Sequence, residues 1–201
     1  CFREAAGVSA DPSVLARAAL GLAALEVRSG TPVDDNLALL RRAVRAVEHS
    51  SDSGPSVDGL LSRLYAALAR ELVHADLAGP RLPANEPAQA ANRAIALAER
   101  AVDGQARAAA LLARHDAGWR RGSAASRLPL IADLIHAAGA VDDADLVAEG
   151  MMLRSAALLE LGEPEGIAEL RRFVEHAEHL GHARGHWMAL SRRATLVGLA
   201  G

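Results

Sequence analysis

Hydrophobic residues recur along this chain with the period of an α-helix, and glycine or proline marks most joints between the periodic segments. The clearest segment runs from about Ala144 to Leu161, where apolar residues cover most of the helix circumference. Such a helix needs neighbours on most of its sides. Gly162 is expected to end it, because glycine readily adopts the left-handed conformation found at helix C-termini. With the two helices that follow, this segment predicts stacked helical hairpins.

The same period assigns a buried and a solvated face to each of those two helices. In the first of them, the polar residue Glu169 is predicted to lie on the solvated face. In the second, Trp187 lies with Leu190, Ala194 and Val197 on the face that is expected to pack. The predicted interior positions of the first helix are Ile167, Leu170, Phe173, Val174 and Ala177, and its predicted solvated positions are Glu165, Glu169, Arg172, Glu175 and His179.

Capping residues and loops divide the rest of the chain into further helices. Asp11-Pro12 opens one helix, Asp103 caps another, and Ser126 is the predicted N-cap of a helix that ends at Gly139. The segment 76–85 contains one glycine and two prolines, so we predict a loop there.

Helix ends recur at a regular distance. Gly122, Gly162 and Gly201 lie 40 and 39 residues apart (162 − 122; 201 − 162), which corresponds to two helices per repeat. This spacing exceeds the ~34 residues of a regular tetratricopeptide repeat and approaches that of HEAT repeats. No segment alternates as a strand would. We therefore predict an all-α fold of about nine helices, a right-handed α-solenoid of antiparallel helical hairpins (a TPR-like superhelix), in a single repeat domain over 1–201.

Composition and net charge limit the classes of molecule that this chain is expected to bind. Hydrophobic residues make up 51% of the chain and aromatic residues only 2%, so alanine and leucine must fill the core. The net charge of −3 gives no electrostatic basis for binding nucleic acid directly. The longest apolar run, 15–27, is interrupted by Arg17 and is too short to span a bilayer, so we expect no membrane association.

The N-terminal sequence suggests a segment of a longer protein. Cys1 is the only cysteine, so no internal disulfide can form and the cytoplasm is the expected compartment. The start Cys1-Phe2-Arg3-Glu4 has no initiator methionine and no features of a signal peptide. If an array is cut at both ends, its terminal helices expose apolar faces, and we therefore also expect a homodimer.

No residue pattern indicates catalysis. The chain has no lysine and thus no P-loop, and its serines lie outside any G-x-S-x-G motif, so we predict no enzyme, no catalytic residue and no cofactor. The pattern that most resembles a metal-binding motif is a series of four histidines three or four residues apart: His176, His179, His182 and His186. Leu180-Gly181 breaks the helix within this series, so we favour the interpretation that the four histidines lie at a solvent-exposed corner between two helices. A metal-binding or enzymatic domain is the less favoured alternative.

Adjacent arginines recur four times. Neighbouring residues on a helix point about 100° apart, so one member of each pair can reach a carboxylate while the other faces solvent. A groove for an acidic partner is the alternative interpretation. The pairs are Arg41-Arg42, Arg120-Arg121, Arg171-Arg172 and Arg192-Arg193.

A binding surface is the remaining candidate for a functional site. Trp119 precedes an arginine pair at a helix end, where partial exposure is expected, and tryptophan and arginine are typical of interaction hot spots. The alternative is that Trp119 is a structural plug between two hairpins. The candidate residues for binding a protein partner or a small-molecule inducer are Trp119, Arg120, Arg121, Tyr65 and Arg81.

Three stretches of the chain resemble a known family: LARAALGL at 15–22, LLSRLYAALARELVHA at 60–75, and the run from MLRSAALLELGEPEG at 152–166 to the end of the chain. They are similar to the tetratricopeptide-like C-terminal region of large actinobacterial ATP-binding regulators of the LuxR type and the antibiotic-regulatory (SARP-like) type. The resemblance implies an array that senses an inducer or partner for an ATPase and a DNA-binding module outside this chain. A generic scaffold without regulatory output is the alternative.

Overall fold

The structure, a computed structural model, describes residues 11–26, 33–78 and 85–200. Over these residues the fold is all-α, with nine helices and no strand. The predicted fold class is confirmed, and the solenoid arrangement stays a prediction. The expected leading stub over 1–8 lies outside the described residues. The helices are α1 (Pro12–Glu26), α2 (Val33–Glu48), α3 (Pro55–Ala78), α4 (Glu86–Ala101), α5 (Gly104–Ala117), α6 (Ala124–Gly139), α7 (Ala144–Glu160), α8 (Glu165–His179) and α9 (Ala183–Ala200).

The chain divides into two compact units, Cys1–Ala117 and Gly118–Gly201. The first, here the N-terminal unit, contains α1 to α5, and the second, the C-terminal unit, contains α6 to α9. Within each unit every helix packs against the next one in sequence. This order of contacts is compatible with a repeat array. A single repeat domain over 1–201 stays a prediction.

In the N-terminal unit the long helix α3 packs against each of the other four helices. Its Leu64 and Leu72 are fully buried, as is Leu97 of α4. The helices approach closely enough for the buried Ser62 hydroxyl to donate a hydrogen bond of 2.8 Å to the Ala94 carbonyl oxygen. This bond removes the cost of an unpaired hydroxyl in the core.

In the C-terminal unit one buried cluster lies between α7, α8 and α9, and a second lies between α6 and α7. Phe173 is fully buried, and Leu170, Val174 and Ala177 lie beside it, as the sequence predicts. Across from them α9 contributes Met188 and its neighbour Ala189 rather than the predicted apolar face. The packing of α9 is therefore different from the prediction.

Gly162 ends α7 as predicted. Its φ of 76° is left-handed, its N–H bonds to the Leu159 carbonyl at 3.0 Å, and the Glu163 N–H bonds to the Leu158 carbonyl at 2.9 Å. These two bonds form a Schellman motif, which pairs carbonyl groups that the last turn of a helix would otherwise leave free. At the start of α5, the predicted cap Asp103 accepts a hydrogen bond from the Ala106 N–H at 3.1 Å.

Two predicted boundaries are wrong. Ser126 does not cap α6, because the helix begins at Ala124 with Ser123 as its N-cap, and the Ser126 hydroxyl donates to the Ser123 carbonyl instead. A turn over 120–123 brings the chain into the helix earlier than the sequence pattern suggests. Helix α3 extends to Ala78, into the predicted loop 76–85, and residues 79–84 of that loop lie outside the described residues.

Gly185 allows α9 to pack closely against α8. A Cβ atom at this position would lie 2.5 Å from the Ala177 carbonyl oxygen and 2.9 Å from the Leu180 Cβ. We expect Gly185→Ala to lower the free energy of unfolding by about 1–3 kcal/mol, since backbone must move to accept the methyl group. Thermal melts followed by circular dichroism would measure the change.

Gly198 provides the matched control in the same helix. Nothing lies within 4 Å of a Cβ built there, so Gly198→Ala should raise the free energy of unfolding by about 0.5–1 kcal/mol through the better helix propensity of alanine. If both Gly185→Ala and Gly198→Ala raise the melting temperature, the close approach of α8 and α9 does not require glycine at position 185.

Candidate functional site

Trp119 lies in the loop before α6 and exposes 59% of its surface. The predicted exposure is confirmed. One face of its ring covers the guanidinium of Arg127, whose Cζ is 5.8 Å from the ring centroid. Arg127 is itself buried and forms an ion pair with Glu160 of α7. This cation–π contact favours the observed orientation of the indole, more than half of which is exposed.

The loop that carries Trp119 is held by a turn over 120–123. The Ser123 N–H donates to the Arg120 carbonyl oxygen at 3.1 Å. The Ser123 hydroxyl donates to that same oxygen at 2.6 Å and accepts a hydrogen bond from the Arg120 N–H at 3.2 Å. Gly122 has φ 75°, the left-handed conformation that the third residue of a type II turn requires. The backbone beside Trp119 is consequently well defined.

Arg120 and Arg121 are both exposed at the tip of this turn. In the part of the chain that the structure describes, neither guanidinium has an ionic partner. The predicted division of an arginine pair, one paired and one solvated, therefore does not apply here. Two cations next to an indole that is more than half exposed form a surface that suits an anionic or polar partner.

The other three arginine pairs follow the prediction more closely. Arg41 bonds to Glu86 at 2.6 Å while Arg42 is exposed. Arg172 bonds to Glu169 while Arg171 is exposed. In the fourth pair, Arg193 bonds to Glu178 and Arg192 contacts the sulfur of Met152. The bonded members of these pairs are held by neighbouring side chains, whereas Arg42 and Arg171 face solvent.

Tyr65 lies in the N-terminal unit, whereas the Trp119 loop belongs to the C-terminal unit. Its hydroxyl donates a hydrogen bond of 2.7 Å to Glu48, which links α3 to the end of α2. Burial, and then this hydrogen bond to a carboxylate, raise the pKa of Tyr65 to about 12. Arg81, the fifth candidate residue, lies outside the described residues. Trp119, Arg120 and Arg121 lie in one loop of the C-terminal unit, and the inclusion of Tyr65 and Arg81 in the same surface stays a prediction.

Three of the four histidines at the end of α8 and the start of α9 contact nearby groups. His176 lies 3.2 Å from the Ala144 carbonyl oxygen, and His179 lies 2.6 Å from that of Glu175. His182 accepts a hydrogen bond from the Gly185 N–H and so caps α9. Among the described residues, no three His, Cys, Asp or Glu side chains form a group that could hold a metal ion.

Glu169 is fully buried, so its predicted position on the solvated face is wrong. Its carboxylate binds two guanidinium groups: Arg154 of α7 donates from Nε at 2.7 Å, and Arg172 donates from Nε at 3.0 Å. A carboxylate with two cationic partners can be buried at tolerable cost. The sequence could not show this, because Arg154 lies on a different helix.

Trp187 is also placed differently from the prediction. The face formed by Trp187, Leu190, Ala194 and Val197 is exposed, and α9 packs through its opposite side. The side of α9 that contains Gly185 packs against α8 because a residue without a side chain allows the two backbones to approach. The resulting apolar stripe on α9 is a surface feature that the sequence-based interpretation assigned to the core.

A buried group of charges in the N-terminal unit was also not predicted. The Asp116 carboxylate accepts hydrogen bonds from His115 Nδ1 at 3.0 Å and from Arg70 Nε at 2.8 Å. Burial alone would raise the pKa of Asp116, but the hydrogen bond from His115 and the charge of Arg70 outweigh it and hold the pKa below its usual value. The group joins α3 to the end of α5.

None of the described helices is long and apolar enough to cross a membrane. The geometry offers two distinct surfaces, the Trp119 loop and the stripe on α9. Comparison with known proteins finds no protein-family model, no curated protein and no solved structure that matches this chain.

Proposed function

We propose that this chain is a non-catalytic helical-repeat module of a bacterial transcriptional regulator, and that it binds a partner protein or an inducer through the surface formed by Trp119, Arg120 and Arg121. On this proposal the binding event is relayed to an ATPase and a DNA-binding module outside this chain. The cytoplasm is the compartment in which such a regulator would act. The regulatory part of the proposal is supported by the sequence resemblance alone.

One observation carries the binding part: an indole that is more than half exposed, and that contacts Arg127, lies beside two cations without ionic partners among the described residues. Exposed tryptophan and arginine are the residue types that most often dominate binding energy. The turn over 120–123 orders the backbone beside Trp119 and the contact with Arg127 favours one orientation of its ring, which lowers the free energy that a partner would lose in ordering this surface.

The test is the double variant Trp119→Ala with Arg120→Ala. We expect a loss of stability of about 1–2 kcal/mol, since the cation–π contact between Trp119 and the buried Arg127 guanidinium disappears. A buried plug would instead cost about 3–5 kcal/mol. In the full-length protein that contains this segment, the double variant should abolish the regulatory response in a transcription reporter while circular dichroism shows unchanged helicity.

A matched control replaces an exposed leucine and a solvated arginine elsewhere in the same unit. Leu161→Ala with Arg171→Ala removes comparable exposed side chains away from the Trp119 loop, and regulation should persist. A folded Trp119→Ala, Arg120→Ala variant that regulates normally would contradict the proposal and favour a scaffold without regulatory output.

A further inference from the structure

His182 lies directly before α9 and accepts a backbone hydrogen bond through its ring. The Gly185 N–H donates to His182 Nδ1 at 3.0 Å, and the His186 N–H donates to the His182 carbonyl oxygen at 3.0 Å. These two bonds make His182 the N-cap of α9, a position that serine, threonine, aspartate or asparagine most often occupies. The capped amide belongs to Gly185, where the backbone of α9 packs against α8. The cap therefore holds the start of α9 at its contact with α8.

The cap also determines which ring nitrogen of His182 carries a proton. A nitrogen that accepts a hydrogen bond needs a free lone pair, so Nδ1 is unprotonated and the neutral ring carries its proton on Nε2. That atom lies 3.0 Å from Oδ1 of Asp145 in α7. The Asp145 oxygen is buried and accepts no hydrogen bond from the described residues. A positive charge on the ring would therefore turn this contact into an ion pair.

His176 and His179 use their rings in the opposite way. His176 Nε2 lies 3.2 Å from the Ala144 carbonyl oxygen, and His179 Nδ1 lies 2.6 Å from the Glu175 carbonyl oxygen. A carbonyl oxygen can only accept, so the ring nitrogen is the donor in both contacts, and a protonated ring can still make them. Both nitrogens of a protonated imidazole are donors, so the cap formed by His182 cannot survive protonation. Of these three histidines, His182 is the one that changes its contacts with its charge.

The other charged groups of this corner belong to the same three helices. Glu149 of α7 pairs with Arg184 of α9, and Glu178 of α8 pairs with Arg193 of α9. Because each of these pairs combines opposite charges, we expect Asp145 to have the largest electrostatic effect on the His182 ring. The remaining titratable side chains of the corner are Asp142, Asp143, Glu175, His176, His179 and His186.

We propose that His182 is a pH-dependent cap, which holds the first turn of α9 while its ring is neutral and releases this turn when its ring is protonated. In the charged state Nδ1 carries a proton that points at the Gly185 N–H, so two donors meet and the ring turns away. The Asp145 carboxylate keeps the charged ring at the same corner. Histidine is the side chain that ordinarily gains its charge between about pH 8 and pH 5, so mild acidification releases the turn. The proposal is independent of the function assigned to the Trp119 loop.

NMR spectroscopy of the full chain tests the cap directly. At about pH 8 the ring nitrogen shifts of His182 should show the Nε2–H tautomer, whereas those of His179 should show the Nδ1–H tautomer. As the pH is lowered to about 5, the Gly185 amide proton should shift upfield with the midpoint of the His182 ring, because it loses its acceptor. The protection factor of the His186 amide in hydrogen exchange should fall about fivefold, the effect of losing a typical N-cap.

Three variants assign these changes to His182. His182→Asn should abolish the shift of the Gly185 amide, because asparagine is a good N-cap and does not titrate. His186→Gln removes a neighbouring exposed imidazole from the same helix and should leave the midpoint unchanged. Asp145→Asn should keep the transition and move its midpoint to lower pH, because the charged ring loses its anionic partner. Circular dichroism of each variant checks that it remains folded.

Three results would each overturn the proposal. The first is an Nδ1–H tautomer of His182 at about pH 8. The second is a Gly185 amide whose shift does not follow the titration of the His182 ring. The third is a transition at Gly185 that persists in His182→Asn, since it would belong to another histidine of this corner.

Discussion

Glu169→Gln is expected to lower the free energy of unfolding by about 3 kcal/mol. Glu169 is fully buried, and its carboxylate is the shared acceptor for Arg154 and Arg172. Glutamine keeps the shape of the side chain but removes the charge, so two guanidinium groups lose their anionic partner at once. Breaking a buried ion pair from one side typically costs about 3–5 kcal/mol, and the partial exposure of both arginines places the expectation at the lower end.

The control for this change is Glu175→Gln in the same helix. Glu175 is exposed, and a substitution there should alter the free energy of unfolding by no more than about 0.5 kcal/mol. Urea titrations followed at 222 nm would measure both variants. Equal urea midpoints for the two variants would mean that the ion pairs of Glu169 with Arg154 and Arg172 do not stabilise the fold.

Asp116→Asn should destabilise the protein by about 1.5–3 kcal/mol at neutral pH, the range for hydrogen bonds that involve a charged group. The variant loses the carboxylate that accepts from His115 and Arg70. Because the pKa of Asp116 is lower in the folded chain than its ordinary value of 3.8, the carboxylate contributes stability above that value and loses it as the pH falls through the lower, folded-state pKa.

The pH dependence separates this electrostatic effect from a packing defect. The difference in melting temperature between the wild type and Asp116→Asn should be constant near neutrality and should shrink once the pH falls below 3.8. Asp52→Asn, at an exposed loop position, should match the wild type at every pH. If the difference in melting temperature stays the same in acid, the substitution acts through altered packing and not through the lost charge.

Sequence periodicity predicts the fold best where a helix has one apolar face. In α2 the residues Leu37, Leu40, Val44 and Val47 are all buried, as predicted. The polar residues between them cannot enter the core without losing hydration, so a single orientation of the helix is allowed. The end of α7 at Gly162 was predictable for a similar reason, since few residues other than glycine adopt a left-handed turn cheaply.

At Glu169 the helical period and the polarity of the side chain give opposite predictions, and the polarity is misleading. Glu169 lies one turn after Gly166 and one turn before Phe173, both of which are buried, so the helical period alone would place it inside. Its charge favours the outside unless a partner is present. The partner Arg154 belongs to another helix, and only the packing of α7 on α8 brings the two together.

Helix α9 shows a second limit of the method. It has two apolar faces, and the period cannot decide which one packs. The larger side chains of Trp187 and Leu190 favour burial of their face, yet α9 packs through the side that includes Gly185. Close approach of two backbones requires a residue without a Cβ atom, and such residues score poorly on hydrophobicity alone.

The candidate site was predictable only in part. Exposure of Trp119 follows from its place at a helix end beside two arginines, and the structure agrees. The ring contact with Arg127 was not foreseeable, because Arg127 looks like a surface residue until its ion pair with Glu160 is known.

The two tryptophans of this chain, Trp119 and Trp187, both lie at the surface, while the fully buried aromatic residue among the described ones is Phe173. Indole emission from the native protein should therefore resemble that of indole in water, and it should change little when the alanine- and leucine-rich core melts. A molecule that covers either ring would shift the emission to shorter wavelength. Tryptophan fluorescence therefore reports little about the core. It reports instead on the Trp119 loop and on the stripe of α9, each of which contains one tryptophan.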